Sequence, residues 1–426
     1  MRSRGRTAVR RSSSPSGFSP SWRRSDAVGR ARERAGGGGG LTEPGAAPAP
    51  GRAPLVLLVA GEASGDLRGA ELLGEIRKLR ADVSVTGVGG DRLRAAGMEV
   101  LVDAAELSAM GVTELFGTVG TIVRSYRRVR GAITGAHGGR RPDLVVLIDF
   151  PDFNLRLAKV ARRAGIPVLY YVSPQVWAWR RYRVRTLARR VDHLAVVFPF
   201  EAELYRGLTE VSFVGHPALE TVRASSEPAA TRRRHGLATD RPLVTLLPGS
   251  RGSEVRALLP PMVEAVRRLG VQAVVALAHE SLRPLARELC PADLPVVHGE
   301  TWDLVAAADL VLLSSGTATL ETALLERPMV IMYRLSPLTY ALARMLVRVP
   351  FIGMPNLILG KAAVPELIQA DVTPERIAEE ARRILDDPAY AAAIRGDLAR
   401  VRALLGEPGA ASRAAQIAVR MMSERL

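Results

Sequence analysis

The sequence predicts an α/β protein built from two Rossmann-like parallel-sheet domains that face a cleft. Three observations predict this fold. Short apolar runs rich in Val, Leu and Ile alternate with helical stretches, and these runs are apolar throughout rather than at every second residue. They also fall into two sets separated by a polar stretch. Continuous apolar strands separated by helices are typical of parallel sheets covered on both faces.

The two sets of strands define the domain boundaries. The first set is predicted at Leu55–Ala60, Val83–Val88, Leu144–Asp149, Val168–Val172, His193–Phe198 and Val211–Val214. The second is predicted at Leu243–Leu247, Ala273–Ala278, Leu294–Val297, Leu310–Leu313 and Met329–Tyr333. We therefore expect an N-terminal domain at 53–220, a linker at 221–240 and a C-terminal domain at 241–405. We expect the final helical segment, 406–426, to pack back onto the first domain.

Overall composition narrows the class of protein. The chain has 426 residues, of which 47% are hydrophobic, and this excludes a wholly disordered protein. The single Cys290 excludes an intramolecular disulfide framework and a cysteine-based zinc site. No apolar run approaches the roughly 20 residues that a membrane-spanning helix needs.

The net charge of +16 is unevenly distributed. Residues 1–52 hold eleven Arg and three acidic residues, with Gly, Ser and Pro tracts and few apolar residues. We expect this extension to be disordered. A transit peptide, a mis-assigned start codon and a plain tail all remain open for this extension. A secretory signal is excluded, because the extension has no apolar core segment. No nucleic-acid-binding module or aromatic stacking platform accompanies the charge, so no nucleic-acid partner is predicted.

Acidic residues follow two of the predicted strands in the first domain. Glu62 lies in the turn Gly-Glu-Ala-Ser-Gly-Asp (61–66), and Asp149 ends an uninterrupted apolar strand. Ligands of open parallel sheets bind beyond the carboxyl ends of the strands, so both carboxylates are expected at the cleft. A partly desolvated carboxylate has a raised pKa and can accept a proton from a hydroxyl group. The alternative for the first turn is a helix cap formed by Ser64 or Asp66.

Two turns of the second domain have the composition of phosphate sites. Gly249, Ser250 and Arg251 follow one strand, and Ser315, Gly316 and Thr317 follow another, each directly before a helix. Backbone N–H groups at a helix N-terminus bind phosphate, and an arginine adds a bidentate cation. One helical turn later, Glu321 is placed to accept hydrogen bonds from a ribose diol. The combination predicts a nucleoside diphosphate site.

The sequence also argues against a bound metal ion. It contains no Asp-x-Asp pair of the kind that holds a divalent metal for a nucleotide sugar, and its six His are scattered. His216 stands at a strand exit as a lone histidine, with structural and catalytic roles both open. A metal-independent transferase is favoured, and no cofactor is predicted.

Basic and aromatic side chains suggest a surface for a lipid or a sugar phosphate. Between Leu115 and Pro142 there is no acidic residue, and Arg124, Arg127 and Arg128 accompany apolar residues at helical spacing. A basic amphipathic helix can lie in a membrane interface, but an ordinary helix packed on the sheet has the same pattern. A second apolar stretch, Leu338–Met354, could serve the same surface. Trp177 and Trp179 follow another predicted strand. They could bind the acceptor, or they could pack in the core.

These motifs, taken in order, resemble the lipid-A-disaccharide synthases, which are bacterial glycosyltransferases. The resemblance runs from about Leu55 to about Ile384. It rests on Ala-Gly-Glu-Ala-Ser-Gly-Asp (60–66), Gly-Val-Gly-Gly (87–90), Met-Gly-Val-Thr-Glu (110–114), Ile-Asp-Phe-Pro-Asp-Phe-Asn (148–154), Tyr-Val-Ser-Pro-Gln-Val-Trp-Ala-Trp (171–179), Phe-Val-Gly-His-Pro (213–217), Leu-Leu-Pro-Gly-Ser-Arg (246–251), Ser-Gly-Thr-Ala-Thr-Leu-Glu (315–321) and Met-Pro-Asn-Leu-Ile-Leu-Gly (354–360).

The resemblance implies a GT-B-like fold and transfer of a diacylglucosamine from its UDP derivative to 2,3-diacylglucosamine 1-phosphate. The implied products are UDP and a β-1,6-linked disaccharide 1-phosphate, formed with inversion at the cytoplasmic face of the bacterial inner membrane. Glu62 and Asp149 resemble the family's essential acids, and either could be the base. Arg251, Glu321 and Asn356 resemble its uridine-diphosphate-side residues.

This sequence departs from the family pattern at three positions. Phe150 and Gln175 stand where Ala and Ser are common, and Lys361 stands where Arg is common. Lys361 keeps the positive charge but loses bidentate geometry, so a phosphate-clamp role there is in doubt. Outside the family, a UDP-sugar epimerase of similar two-domain fold is the alternative, because it shares the phosphate turns. The sequence specifies no oligomeric state.

Overall fold

A computed structural model describes residues 52–108, 115–136, 139–174, 183–336, 340 and 350–424. These residues form two parallel β-sheets with helices on both faces, which confirms the predicted fold class. The N-terminal extension up to residue 51 lies outside the described residues, as does most of the second apolar stretch, since 337–339 and 341–349 are not described.

The first sheet has seven strands in the order β3-β2-β1-β4-β5-β6-β7, all parallel. The strands are β1 Leu55–Ala60, β2 Ser84–Gly89, β3 Glu99–Asp103, β4 Leu144–Ile148, β5 Val168–Tyr171, β6 His193–Val196 and β7 Glu210–Phe213. The connecting helices are α1 Ala63–Leu79, α2 Asp91–Ala95, α3 Ala104–Ser108, α4 Leu115–Thr134, α5 Pro151–Arg163, α6 Arg183–Ala188, α7 Pro199–Tyr205 and α8 Ala218–Thr221.

The second sheet has six strands in the order β10-β9-β8-β11-β12-β13, also parallel. The strands are β8 Leu243–Leu247, β9 Gln272–Leu277, β10 Val296–His298, β11 Leu310–Ser314, β12 Met329–Tyr333 and β13 Glu366–Ile368. The helices of this half and the C-terminus are α9 Pro228–Arg234, α10 Gly252–Leu269, α11 Arg283–Leu289, α12 Thr301–Ala307, α13 Thr317–Leu324, α14 Met354–Leu359, α15 Pro374–Asp386, α16 Pro388–Leu404 and α17 Ala410–Ser423.

Two strands are absent from the sequence prediction, and both are edge strands. Strand β3 is largely only partly buried, and β13 has just three residues. An edge strand has a neighbour on one side only, so it carries fewer continuous apolar residues than a central strand. The apolar-run criterion therefore finds every central strand, whereas of the four edge strands it finds β7 and β10 and misses β3 and β13.

The stretch predicted as a linker is folded onto the second half. It contains α9, whose Arg232 is 9% exposed and donates hydrogen bonds to the Ala307 carbonyl oxygen at 2.7 and 3.0 Å. Its neighbour Ser225 donates to the Asp303 carboxylate from both its backbone N–H and its hydroxyl group. These contacts make residues 225–234 part of the second half rather than a free connector.

The chain leaves the first half near His216 and returns to it after Leu405, and these two connections lie side by side. The N–H of His216 donates to the carbonyl oxygen of Leu405 at 3.0 Å, and Arg413 Nε donates to the carbonyl oxygen of Val214 at 2.9 Å. Beyond this point α17 packs against α1 and β4 of the first sheet, burying residues such as Ala414 and Met422 completely. The last helix in the sequence is thus part of the core of the first half.

Candidate active site

Each sheet reverses its strand order once, and the predicted site residues stand at these reversals. The first sheet reverses between β1 and β4, and the second between β8 and β11. Ligands of open parallel sheets bind in the crevice outside the carboxyl ends of the strands at such a switch point. Ala60 pairs with Ile148 across β1 and β4, so the turn with Glu62 and the turn with Asp149 begin side by side.

The backbone at Asp149 has an uncommon conformation. Asp149 and Phe150 both have left-handed φ values, 45° and 46°. Two successive non-glycine residues in this region cost free energy, and such strain concentrates at functional sites. The side-chain amide of the fully buried Asn154 holds the turn by donating to the carbonyl oxygens of Ile148 and Asp149, at 3.1 and 2.8 Å. The Tyr170 hydroxyl group also donates to the Asp149 carbonyl oxygen.

The electrostatic environment suits Asp149 as a proton acceptor. Burial, aided by the negative charge of Glu62, raises the pKa of Asp149 to about 6, against the smaller opposing effect of the Phe150 N–H. A base whose pKa lies just below neutral pH is ionised at pH 7 and still basic enough to assist proton removal. Perturbed carboxylates with a specific charged neighbour at a cleft are characteristic of active sites.

Glu62 differs from Asp149 in its surroundings. It immediately precedes α1 with extended backbone, its carboxylate is exposed, and it forms no cap with the helix. The alternative reading of this turn, a cap of α1 formed by Ser64 or Asp66, is wrong, because α1 begins at Ala63 and both residues lie inside it. The Asp66 carboxylate instead accepts hydrogen bonds from the N–H groups of Gly90, Arg92 and Leu93 at 2.6–3.2 Å, so it caps α2. Glu62 therefore remains exposed beside Asp149.

Gly61 is required by the neighbouring aromatic ring. A Cβ atom at this position would lie 2.5 Å from the ring of Phe150, far inside van der Waals contact. The Phe150 ring in turn lies 5.5 Å from Phe153, which makes an edge contact with Tyr126 on α4. Phe150 thus packs directly on the Glu62 turn.

In the second half, the N–H groups of the turn after β8 bind a carboxylate of the protein, that of Glu254. The Glu254 carboxylate accepts hydrogen bonds from the N–H groups of Ser250 at 2.9 Å and Arg251 at 3.3 Å. Gly249 has a φ of 118°, and a Cβ there would clash with Glu254. The Arg251 side chain is 79% exposed and pairs loosely with Glu254, at 3.6 Å. The predicted phosphate turn therefore has the donors that an oxyanion needs, and a carboxylate engages them here.

The turn after β11 presents the start of α13. The Ser315 hydroxyl group donates to the carbonyl oxygen of Ile352 at 2.9 Å, while Gly316 and Thr317 are exposed. The first N–H groups of a helix have no acceptor four residues earlier within the helix. Here the N–H of Thr319 donates to the Gly316 carbonyl oxygen at 3.1 Å, and those of Thr317 and Ala318 remain as donors for a ligand. Ser315 fixes the loop behind the turn, and Gly316 and Thr317 form the surface that a phosphate would meet.

Glu321 is oriented by a residue that the sequence analysis missed. The indole N–H of Trp302 donates to the Glu321 carboxylate at 3.0 Å. Trp302 lies on α12, which precedes β11 in the sequence, and Glu321 lies on α13, which follows it. The contact therefore joins two separate helices. No local sequence pattern reports such a pair. A carboxylate held in this way is well placed to accept hydrogen bonds from a diol.

Asn356 has a different position from the one its resemblance suggests. It is fully buried, and its amide donates to the Val364 carbonyl oxygen and the Glu366 carboxylate while accepting from the N–H groups of Ala363 and Val364. Glu366 also accepts from the N–H groups of Ile352 and Gly353. With all its donors and acceptors engaged, Asn356 holds the loop behind Ser315 rather than presenting a group to a ligand.

Two other predicted residues have structural surroundings. The Lys361 ammonium pairs with Asp397 on α16 at 2.7 Å. His216 lies against the Phe198 ring, and its Nδ1 accepts the N–H of Ala218 at 3.1 Å. Burial, with the nearby positive charge of Arg68, lowers the pKa of His216 to about 4, so the ring is neutral at pH 7.

The helix α4 buries most of the apolar residues that the structure describes on it. Val129 and Ile133 are fully buried against the first sheet, and Tyr126 is partly buried, whereas Val123 is 40% exposed. For Val129, Ile133 and Tyr126 the ordinary sheet-packed helix is the correct alternative, whereas Val123 is not buried by the sheet. The guanidinium groups lie on the opposite face, where Arg124, Arg127 and Arg128 are all exposed.

Some predicted residues cannot be placed in this site. Trp177 and Trp179 lie outside the described residues, as do Gln175, Arg180 and Arg181. Farther along the same stretch, Arg183 pairs with Asp152 at 2.7 Å. Over the described part of the chain, no three His, Cys, Asp or Glu side chains converge as metal ligands would, and no helix is long and apolar enough to cross a membrane.

Comparison with known proteins identifies relatives over nearly all of the described chain. Residues 56–421 match the family model described as lipid-A-disaccharide synthetase. A lipid-A-disaccharide synthase from Syntrophus aciditrophicus (strain SB) is 45% identical over 380 residues, which cover 87% of this chain and 98% of the relative.

Solved structures of low sequence identity share the fold. The calicheamicin glycosyltransferase CalG4 has a TM-score of 0.58 at 18% identity, over 87% of this chain and 99% of that one. MurG of Acinetobacter baumannii has a TM-score of 0.52 at 14% identity, over 87% of this chain and 100% of that one. These similarities confirm the GT-B-like architecture of two parallel-sheet domains.

Proposed function

The chain belongs to the lipid-A-disaccharide synthetase family, and on that premise we propose that it joins two acylated glucosamines to form the lipid A disaccharide. Membership makes it a glycosyltransferase of lipid A synthesis. We propose UDP-2,3-diacylglucosamine as the donor and 2,3-diacylglucosamine 1-phosphate as the acceptor. The products would be UDP and a β-1,6-linked disaccharide 1-phosphate, formed with inversion at the anomeric carbon.

The observation that carries this proposal is the carboxylate pair at the first switch point. Asp149, with its pKa raised to about 6 beside Glu62, removes the proton from the acceptor 6-hydroxyl group as that oxygen attacks the donor. A positioned base of this kind contributes about 10²–10⁴ in rate. Glu62 is the alternative base, and in the Asp149 mechanism its charge serves to keep Asp149 basic.

Groups of the second half would stabilise the departing UDP. The exposed Arg251 guanidinium and the N–H groups at the start of α13 would bind the diphosphate, and Glu321, held by Trp302, would accept hydrogen bonds from the ribose. Donors placed where negative charge develops lower the barrier without moving during the reaction. Because these groups can carry the charge on the leaving diphosphate, we propose that no metal ion takes part.

Both proposed substrates carry acyl chains, so the enzyme has to meet them at a bilayer. We propose that it binds peripherally at the cytoplasmic face of the inner membrane. The exposed Arg124, Arg127 and Arg128 support this, because anionic headgroups attract a basic surface by about 1 kcal/mol per arginine. The attraction would be mainly electrostatic, since the described apolar residues of α4 face mostly inward.

The alternative of a UDP-sugar epimerase rests on architecture alone. Epimerases share such two-domain folds, but fold does not determine reaction. The 45% identity to a lipid-A-disaccharide synthase over most of both chains favours the transferase.

A product assay tests the function directly. The protein is incubated with UDP-2,3-diacylglucosamine, with or without 2,3-diacylglucosamine 1-phosphate, and the lipids are analysed by mass. We expect the disaccharide 1-phosphate only when both substrates are present, in EDTA as well as in magnesium. Conversion of the donor without the acceptor would support the epimerase, and loss of activity in EDTA that magnesium restores would refute the metal-free reaction.

A further inference from the structure

A cavity lies at the amino ends of the strands of the second sheet, whereas the proposed UDP site lies at their carboxyl ends. Its volume is about 680 Å³. Its floor is formed where three strands begin, because Pro242 precedes β8, Asp309 precedes β11 and Arg327 stands two residues before β12. The end of α15 and the start of α16 form its apolar wall, with Leu385 and Pro388 among the lining residues. The amino ends of these strands are remote from the turns that hold Ser250 and Ser315.

The residues that line this cavity include more arginines than carboxylates. Arg232 is neutralised, because it pairs with Asp309 at 2.9 Å while its other N–H groups donate to backbone carbonyl oxygens. Three further arginines, Arg241, Arg327 and Arg395, line the cavity, and over the described part of the chain their side chains have no hydrogen-bond or ion-pair partner. Asp240, exposed at the rim, is the one other carboxylate among the lining residues.

Arg327 is the most constrained of the three. Its Nε is buried without a hydrogen-bond partner among the described residues. Burial, aided by the positive charge of Arg395, lowers the pKa of Arg327. A partly buried guanidinium group beside another cation is unfavourable unless an anion joins them. The charges of Asp309 and Glu326 offset part of this effect, but among the described residues neither carboxylate forms an ion pair with Arg327. The cation pair of Arg327 and Arg395 therefore has no carboxylate bridging it.

We propose that this cavity binds a phosphate-bearing organic ligand between Arg327 and Arg395. Guanidinium groups bind phosphate through paired, charge-assisted hydrogen bonds, and two or three of them match a dianion. The apolar wall formed by Leu385 and Pro388 would cover the carbon part of the ligand. A volume of about 680 Å³ lies within the usual range for small-molecule sites.

The test is calorimetric titration of inorganic pyrophosphate into the full chain carrying Arg251→Ala, which removes the main cation of the UDP site. We expect one remaining pyrophosphate site. Adding Arg395→Glu should weaken it at least tenfold, and adding Arg400→Glu should not. Arg400 is a matched control because it is also an exposed arginine of α16 but does not line the cavity. Arg395 is exposed, so its replacement should not impair folding, and a thermal melt of each variant checks this.

Displacement experiments identify the source of the phosphate. Glucose 1-phosphate represents a free organic phosphate, and monomeric dihexanoyl phosphatidic acid represents a lipid phosphate. Displacement of pyrophosphate by either one supports the site and names its class. Equal weakening by Arg395→Glu and Arg400→Glu, or displacement by neither compound, would overturn the proposal.

Discussion

Asp149 and Glu62 follow adjacent parallel strands, and the charge of Glu62 joins burial in raising the pKa of Asp149 to about 6. The two carboxylates are therefore electrostatically coupled although they lie 87 positions apart in the sequence. The more buried one has the proton affinity of a base, and the exposed one helps to maintain it. This relationship separates the roles of the two acids in ways that variants can measure.

Replacing Asp149 with Asn should reduce turnover by about 10²–10⁴ while leaving UDP binding intact, because it removes the base and retains the shape of the side chain. Asn is also tolerated in the left-handed conformation of this turn. The measurements are disaccharide formation and UDP titration by calorimetry. Turnover within a few-fold of the unchanged protein would rule out Asp149 as the base.

The same substitution should stabilise the protein at pH 8. A carboxyl whose pKa is raised from 3.8 to about 6 on folding is held in an unfavourable ionised state above pH 6, so stability falls as pH rises from about 4 to 6. Asn removes that penalty, and a gain on the order of 1–3 kcal/mol is expected at pH 8, with a smaller one at pH 4.5. Urea unfolding at both pH values measures it, and a variant less stable at pH 8 would contradict it.

The pH dependence of kcat/KM should show which acid is the base. With Asp149 as base, activity should fall below about pH 6, where Asp149 becomes protonated. Glu62→Gln removes a negative charge, which should lower the pKa of Asp149 and move this acid limb to lower pH while activity persists. If Glu62→Gln instead abolishes turnover at every pH, Glu62 is the base.

Gly61→Ala should reduce activity more than tenfold. The added Cβ would lie 2.5 Å from the Phe150 ring, and moving that ring shifts the strained backbone at Asp149. Phe150→Ala vacates the space and leaves both carboxylates in place, so this variant alone should remain active. The double variant should regain most of the activity. Failure of the second substitution to restore any activity would show that Gly61 matters for another reason.

Charge reversal at Arg124, Arg127 and Arg128 should weaken binding to vesicles that contain anionic lipid. A loss of at least tenfold is expected at low salt, because each arginine near such a surface contributes about 1 kcal/mol, and a smaller loss at high salt. Reversal of Arg233, Arg382 and Arg400, three exposed arginines away from α4, is the matched control. Equal losses in the two triple variants would argue against a membrane-binding role for α4.

The central strands and the turns that follow them could be predicted from sequence, because a strand buried on both faces has to be apolar throughout. Glu62 and Asp149 stand out for the same reason, because each is an acidic residue that follows an apolar strand at its carboxyl end. The roles of Tyr170 and Trp302 could not be predicted, because they depend on hydrogen bonds between elements about twenty residues apart. Nor could the capture of the Ser250 and Arg251 N–H groups by Glu254, which requires the folded turn.

Resemblance and structure differ most at Asn356. The motif suggests a residue on the uridine diphosphate side, but its amide is fully engaged inside the loop that supports Ser315. A residue can match a family motif because it positions the site, and sequence alone does not distinguish that from contact. The cavity around Arg327 could not be predicted from the sequence either, because its arginines come from four separate segments of the chain.

The placement of α17 has a consequence for synthesis on the ribosome. This helix, near the end of the chain, supplies core residues to the sheet that is made first. The second half has all its strands before residue 370, so it can close its own core while the first half still lacks a covering helix. The first half is therefore completed only after the second half, and its α1 surface stays uncovered until α17 has been made.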